Sequence, residues 1–434
     1  MPAYMNRRLA LWIALIALSS LGARAARAQS GGQAEVTIGY QGLPYKASGE
    51  TNTGVQVSEG VLLHVGAGAE AGYDTNVFYS NTAPISSALI RTSVFGDLSN
   101  ASRTGAMSRV SFDVRAGVVY RRYQSDNEAV QNFSNAWMPT AGLALSAGGG
   151  QFGFGLADTF ARLEDPPYNA GQLVPITRYN NQASVEGRWA PGGGRITTML
   201  RYTNMIDIFQ GDYSFASTDG NYLMLDGSWK WLPKTAIFLN AQQGYVFYLN
   251  EAQATANGKQ SSFPLIVTAG LRGLLTEKTS ATLALGYTNG FYSSGESTGG
   301  FWGSTYADAS FTLRPSLLSR VVAGYRHDFQ NAVIASFSYN ESVYASYVQQ
   351  IAGRVALDLS GRYSHRSYQG NFVDATQMIT GRTDNFFQVG ATLDYFVRNW
   401  VYFGVGYSML SNSSNIPDVE YLKQQMFVRL GLTY

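Results

Sequence analysis

Few residues in this chain could do covalent chemistry. Cysteine is absent, and His64, His327 and His365 are the only histidines in 434 residues, so thiolate nucleophiles, disulfides and thiolate metal sites are excluded. The histidines lack the His-x-x-x-His spacing of a metal site. The one local pair, His327-Asp328, has no distinguished nucleophile beside it. An enzyme is therefore not expected, nor is a cofactor or a metal; a hydrolase or acyl transferase is the least favoured class. The charged groups offer different chemistry, the making of a field. They are only 14% of the chain, about half the usual share. They recur on alternate positions, as in Asp113 and Arg115 or Asp358, Arg362 and Arg354.

Alternation of this kind belongs to strands. Val110, Phe112, Val114, Ala116, Val118 and Tyr120 share one face against Ser111, Asp113, Arg115 and Gly117, a set that no helix face can hold. Phe387, Val389, Ala391, Leu393 and Tyr395 stand likewise against Gln388, Thr392, Asp394 and Arg398. Past the amino-terminus no apolar run approaches the roughly 20 residues of a membrane helix, whereas runs of roughly 10 alternating residues suit tilted membrane strands. They fall near 61–78, 87–98, 108–123, 133–146, 151–162, 180–190, 195–207, 221–232 and 235–249. Others fall near 263–275, 279–292, 303–314, 317–328, 333–348, 353–366, 384–397, 400–411 and 423–434. These are about eighteen, an even number, as an antiparallel up-and-down transmembrane β-barrel with both termini on one side requires.

The connections alternate between short turns, such as Pro191-Gly192-Gly193-Gly194, and longer loops, such as 163–179 and 368–383. Tyr120, Tyr123, Trp189, Trp229, Trp231, Tyr363 and Trp400 stand at strand ends, as headgroup-level girdles would place them. By strict parity Asp158 and Glu341 would face lipid, so a bulge or register shift is expected in each of their strands. Residues 1–28 have the basic, apolar and A-x-A parts of a secretory signal peptide, ending at Ala28, with Ala23-Arg24-Ala25 as a competing site. Residues 29–59 read as a loosely ordered periplasmic lead-in and 60–434 as the barrel. The chain ends on an alternating strand, Met426 to Tyr434. Its terminal aromatic resembles the closing strand that barrel-assembly machinery reads in the outer membrane of Gram-negative bacteria.

With the apolar faces turned to lipid, the alternate faces line a lumen. They carry Arg115, Arg121, Arg188, Arg201, Lys230, Arg272, Arg326, Arg354, Arg362, Arg398, Lys423 and Arg429. Opposing them are Glu70, Asp74, Asp113, Glu186, Asp226, Asp308, Asp358 and Asp394. Basic groups lead, which an anion in transit would feel. The alternative is a neutral lumen whose charges are paired internally. The residues thus imply a large polar barrel, a monomer with lipid as its surroundings and no nucleic-acid partner.

Two stretches add a family resemblance. Gly72-Tyr73-Asp74-Thr75-Asn76-Val77-Phe78 resembles the GYDxNVF signature of the β-barrel porin 2 family, found in myxobacteria especially. Gly324-Tyr325-Arg326-His327-Asp328-Phe329-Gln330, Tyr344 to Tyr347 and Gly361 to Tyr368 are similar to its carboxy-terminal half. The resemblance implies export of an exopolysaccharide through the barrel, with a periplasmic polysaccharide-export protein as partner; this is the expected function, and a general or anion-preferring diffusion porin is the alternative. It singles out Gly72, Tyr73, Asp74, Asn76, Tyr325 and Arg326.

Overall fold

The computed structural model describes residues 54–58, 60–100, 110–133, 135–164, 177–292, 304–372 and 381–434. The signal-peptide reading, residues 29–53 and 59 of the lead-in, most of loop 163–179, all of 293–302 and residues 373–380 of loop 368–383 lie outside these residues. Each expected strand is present. A short β1 (Val55–Ser58) precedes β2 (Val61–Asp74), β3 (Ser87–Ser99), β4 (Val110–Gln124), β5 (Asn135–Gly149), β6 (Phe152–Leu163) and β7 (Arg178–Trp189). Then come β8 (Ile196–Phe209), β9 (Thr218–Leu232), β10 (Thr235–Tyr248), β11 (Leu265–Thr276), β12 (Thr279–Asn289) and β13 (Thr305–Ser316). The last are β14 (Ser319–Asn331), β15 (Ala335–Ile351), β16 (Val355–Phe372), β17 (Arg382–Arg398), β18 (Val401–Ser414) and β19 (Tyr421–Thr433).

Every strand from β2 onward pairs antiparallel with the next. The circle closes where β19 meets β2, in register from Gln425↔Asp74 to Thr433↔Gly66. Terminal Tyr434 takes part, because it and Val65 exchange both backbone hydrogen bonds at 2.8 and 2.9 Å. The protein is therefore a closed antiparallel β-barrel of the strands β2 to β19. Closure removes the unpaired edges that a membrane does not tolerate.

Alternation fixes what each face meets. Leu223, Leu225, Leu239, Leu283, Leu285, Phe403, Val405, Met426 and Val428 are all exposed on the outside, an apolar band for lipid. Trp189, Trp229, Trp231, Tyr395 and Trp400 edge this band at the end with the short turns. Tyr73, Trp137, Tyr202, Tyr245, Tyr287 and Tyr363 edge it at the loop end. Tyr120, tilted against Trp137 with ring centroids 4.6 Å apart, belongs to the same girdle. Tyr123 does not. It lies on the inward parity, is buried, and donates its hydroxyl to Asp74.

The expected bulges at Asp158 and Glu341 are not formed; pairing runs unbroken past both residues. Each faces outward, one pleat on the loop side of the girdle. Asp158 shares a cross-strand row with Ala183 and Asn204, next along β8 from Tyr202. Glu341 pairs with His327 and His365, next along from Tyr325 and Tyr363. At Glu341 the strands outlast the apolar band, so its carboxylate can face outward among polar neighbours; Asp158, paired on its other side with Leu143, is buried. Asn181 donates to Asp158 at 2.7 Å.

The turns follow their residue types. Gly192, Gly193 and Gly194 all have positive φ, between 61° and 77°, a left-handed run that side-chained residues resist. At the loop end the connections fold into short helices, α1 (Glu128–Phe133) and α2 (Glu251–Ala256), and into 3-10 turns at Gly211–Ala216 and Pro417–Val419. Asn250 caps α2 by accepting from the Gln253 backbone at 3.2 Å. The stretch read as a loose lead-in contains β1, which pairs with Val61 to Leu63 of β2.

Candidate functional site

The inward faces carry ion pairs made within a strand, between adjacent strands or over an intervening strand. Arg115 meets Asp113 at 2.9 Å, Arg201 meets Glu186 at 2.5 Å, Arg326 meets Asp308 at 2.6 Å, and Arg429 meets Asp394 at 2.5 Å. Arg272 lies 3.7 Å from Asp226 and Arg91 3.6 Å from Glu70. The alternative of an internally paired wall is thus the one the geometry supports for these groups. The wall is uneven around the barrel. Charged side chains crowd β13, β14, β16, β17 and β19 and continue across the closure into β2, β3 and β4, while β15 and β18 between them carry none inward. The inward positions of β5, β6 and β12 are chiefly Gly, Ala, Ser and Thr.

Aromatic rings lie beneath several of the guanidinium groups. Arg366 lies over Phe386 at 4.3 Å, Arg382 over Tyr368 at 5.0 Å, Arg429 over Tyr402 at 5.7 Å and Arg362 over Tyr344 at 6.0 Å. Such stacking leaves the charge in place while restricting the long side chain. Glycine makes the room. A Cβ at Gly431 would stand 2.1 Å from the Tyr402 ring, and one at Gly404 the same distance from Asp394 Oδ1.

The residues read as lumen-lining fall at several kinds of position. Arg115, Asp113, Arg201, Arg326, Arg429 and Asp394 form the pairs described; Arg121 and Arg362 are buried in the wall, and Asp358 is half-buried on the same face of β16. Arg188 and Arg398 keep the inward parity but lie exposed at the turn-end rim. Arg354 is a correction. It sits in the exposed turn between β15 and β16, where Ala352 and Gly353 reverse the chain with positive φ, and so lies outside the wall.

The motif residues divide. Tyr73 and Tyr325 face outward in the girdle, while Gly72, Asp74 and Arg326 face inward. Asp74 is 0% exposed and forms a node at the loop end of the closure. It accepts from Lys423 Nζ at 2.7 Å, Gln425 Nε2 at 2.7 Å, Tyr123 Oη at 3.0 Å and the Asn76 backbone at 3.0 Å. Lys423 also donates to the Asn76 carbonyl at 2.9 Å and lies 4.2 Å from the centre of the Tyr79 ring. The Asn76 amide donates to Ser80 O and Leu422 O. Gly72 is held close to β19, since a Cβ there would stand 2.5 Å from the Met426 carbonyl.

Sequence reasoning missed several charged groups. Arg366, Arg382 and Asp384 lie at or past strand ends judged by apolar alternation, yet Arg382 and Asp384 form a buried pair at 2.6 Å. Arg91 and the Arg178–Asp207 pair, at 2.8 Å, do keep the inward alternation, and that signal would have found them. Nor did spacing reveal that Glu341 stands between His327 and His365 on adjacent strands.

The connections at the loop end pack together over part of the mouth. Phe209, Phe215 and Ala216, beside β8 and β9, form one apolar cluster with Val333 of the β14–β15 connection. Lys259, between β10 and β11, is 1% exposed and donates to Ala332 O and Ala335 O at 2.6 and 2.5 Å. Burial pulls its ammonium down to about 7.

No protein-family model matches the chain, and no curated protein matches it; the resemblance to the β-barrel porin 2 family gains no such match. The fold is similar to that of solved barrels. A BenF-like porin from Pseudomonas fluorescens Pf-5 is 9% identical with a TM-score of 0.45, over 87% of this chain and 99% of that one. Pseudomonas aeruginosa OpdQ is 13% identical with a TM-score of 0.44, over 86% and 98%. Pseudomonas aeruginosa OpdK, solved with vanillate, is 9% identical at 0.44, over 86% and 99%.

Proposed function

We propose that this barrel is a diffusion porin of the Gram-negative outer membrane, passing small polar and charged solutes, with its turns in the periplasm and its packed loops outside. The observation that carries this reading is the inner wall: charges held in pairs and against rings, with small polar residues between them. An eighteen-strand circumference is too wide for its own side chains to fill and leaves an aqueous passage. The pairing tempers the basic excess, so any preference for anions is mild. Planar-bilayer recording of the purified barrel tests this, with stepwise, persistently open conductance as the expected result. A silent barrel would overturn it.

Export of a polysaccharide is the second reading. What favours it is the resemblance of Gly72 to Phe78 and of Gly324 to Gln330 to the β-barrel porin 2 family. A silent barrel, together with loss of extracellular polysaccharide on gene deletion, would replace the first reading with this one.

A further inference from the structure

A groove of about 670 Å³ opens on the outside of the barrel, across the closure from β16 to β2. Two adjacent cross-strand rows build it. One runs from Leu357 and Leu393 to Ala71, and the other from Ala391 through Tyr407 to Tyr73. Ala71 and Ala391 are the small members, and they set its floor below the larger side chains. All six residues lie on the outward parity, within the apolar band. At its loop-ward end the Tyr73 hydroxyl donates to Ser86 Oγ at 2.7 Å and that of Tyr407 to Gln424 Oε1 at 3.2 Å. These hydroxyls mark headgroup level.

We infer that this groove is a binding site for one acyl chain of a membrane lipid whose headgroup lies at the loop end. Three observations select that occupant. The lining is apolar and faces hydrocarbon, so water is excluded as the filling. The polar tips stand only at the loop-ward end, which gives the chain a direction of entry. A second copy fits badly, because a two-fold contact would set the same concave patch against itself and leave a void. An extended chain seated between the rows would touch all the strands that meet at the closure.

The test needs the whole protein, extracted from its membrane in mild detergent, with bound lipid counted by native mass spectrometry. Ala71→Phe with Ala391→Phe fills the groove from the lipid side. Ala269→Phe adds the same bulk at an outward, exposed position of β11 and serves as the control. Wild type and the control should retain one lipid per barrel, and the filled variant should retain about tenfold less. Heat-modifiable gel migration reports that each variant is still a barrel. Equal retention by the filled variant, no retained lipid in wild type, or a dimer that the filling abolishes would each overturn the inference. None of these outcomes depends on whether the pore conducts.

Discussion

Replacing Asp74 by Asn tests whether the motif around it is a lock or part of a passage. The carboxylate is fully enclosed and takes four donors, one of them the Lys423 ammonium, itself buried. Neutralising it leaves Lys423 enclosed without its counter-charge. Breaking a buried pair from one side typically costs about 3–5 kcal/mol, because the surviving charge has lost its partner while still lacking water. At about 1.4 kcal/mol per tenfold change, that is roughly two to three and a half orders of magnitude in the folded ratio. For a kinetically stable barrel the loss would be read as a faster unfolding rate in urea, followed by heat-modifiable migration or tryptophan fluorescence. The double variant Asp74→Asn with Lys423→Met removes both charges and should recover a measurable part of the loss, giving a coupling in the cycle. Single-channel conductance and ion selectivity of whatever barrel survives should be unchanged, since Asp74 presents no surface to the lumen. Asp74→Asn within about 1 kcal/mol of wild type, or a clear change in selectivity with stability intact, would refute the argument.

Other consequences can be checked separately. Arg362→Glu with Arg366→Glu reverses two inward charges stacked on Tyr344 and Phe386; the reversal potential in a salt gradient should shift toward cations, whereas Arg354→Glu, in its exposed turn, should leave it in place. Lys259→Met should loosen the loops it ties, read as faster labelling of a Val333→Cys reporter in a chain that has no cysteine of its own. The pH dependence of that contact has a definite sign: burial lowers this lysine from 10.5 to about 7, so the open state binds more protons between those values and closure strengthens as pH rises through that window. Slower Val333→Cys opening at pH 9 than at pH 7, after correction for thiol ionisation, is the expected result. Deleting Tyr434 removes both of its hydrogen bonds to Val65 and should slow assembly by roughly tenfold, an unchanged folding rate counting against it.

The barrel itself was legible because alternation is enforced twice, by lipid outside and by water inside. A slip of one residue would turn a whole strand inside out. That constraint weakens where the strands rise past the lipid. There Arg366, Arg382 and Asp384 carry on the pairing without an apolar face to announce it, and Asp158 and Glu341 can face outward without distortion. Parity gives Arg121 and Arg429 the inward face of their strands. It could not say that Arg429 would find Asp394 two strands away, since the choice of partner depends on the register between strands. Arg354 was misplaced for a related reason: one residue before a strand, parity still assigns a face, but the turn has already released the side chain. The node at Asp74 draws on residues up to 351 positions apart, so no local pattern could have shown it.

The small strand β1 acquires a meaning from where it lies. Val55 to Ser58 pair with Val61 to Leu63, on the edge of β2 that β19 leaves when the chain reaches Tyr434. The other edge of those residues is taken by β3. β1 and β19 are thus laid end to end along one edge. Sliding β19 two residues toward the turn end would drive its last residues into β1. Such a slip preserves every inside and outside assignment, so hydrophobicity alone does not forbid it. β1 acts as a ratchet stop for the last strand, and with it the barrel closes in one register.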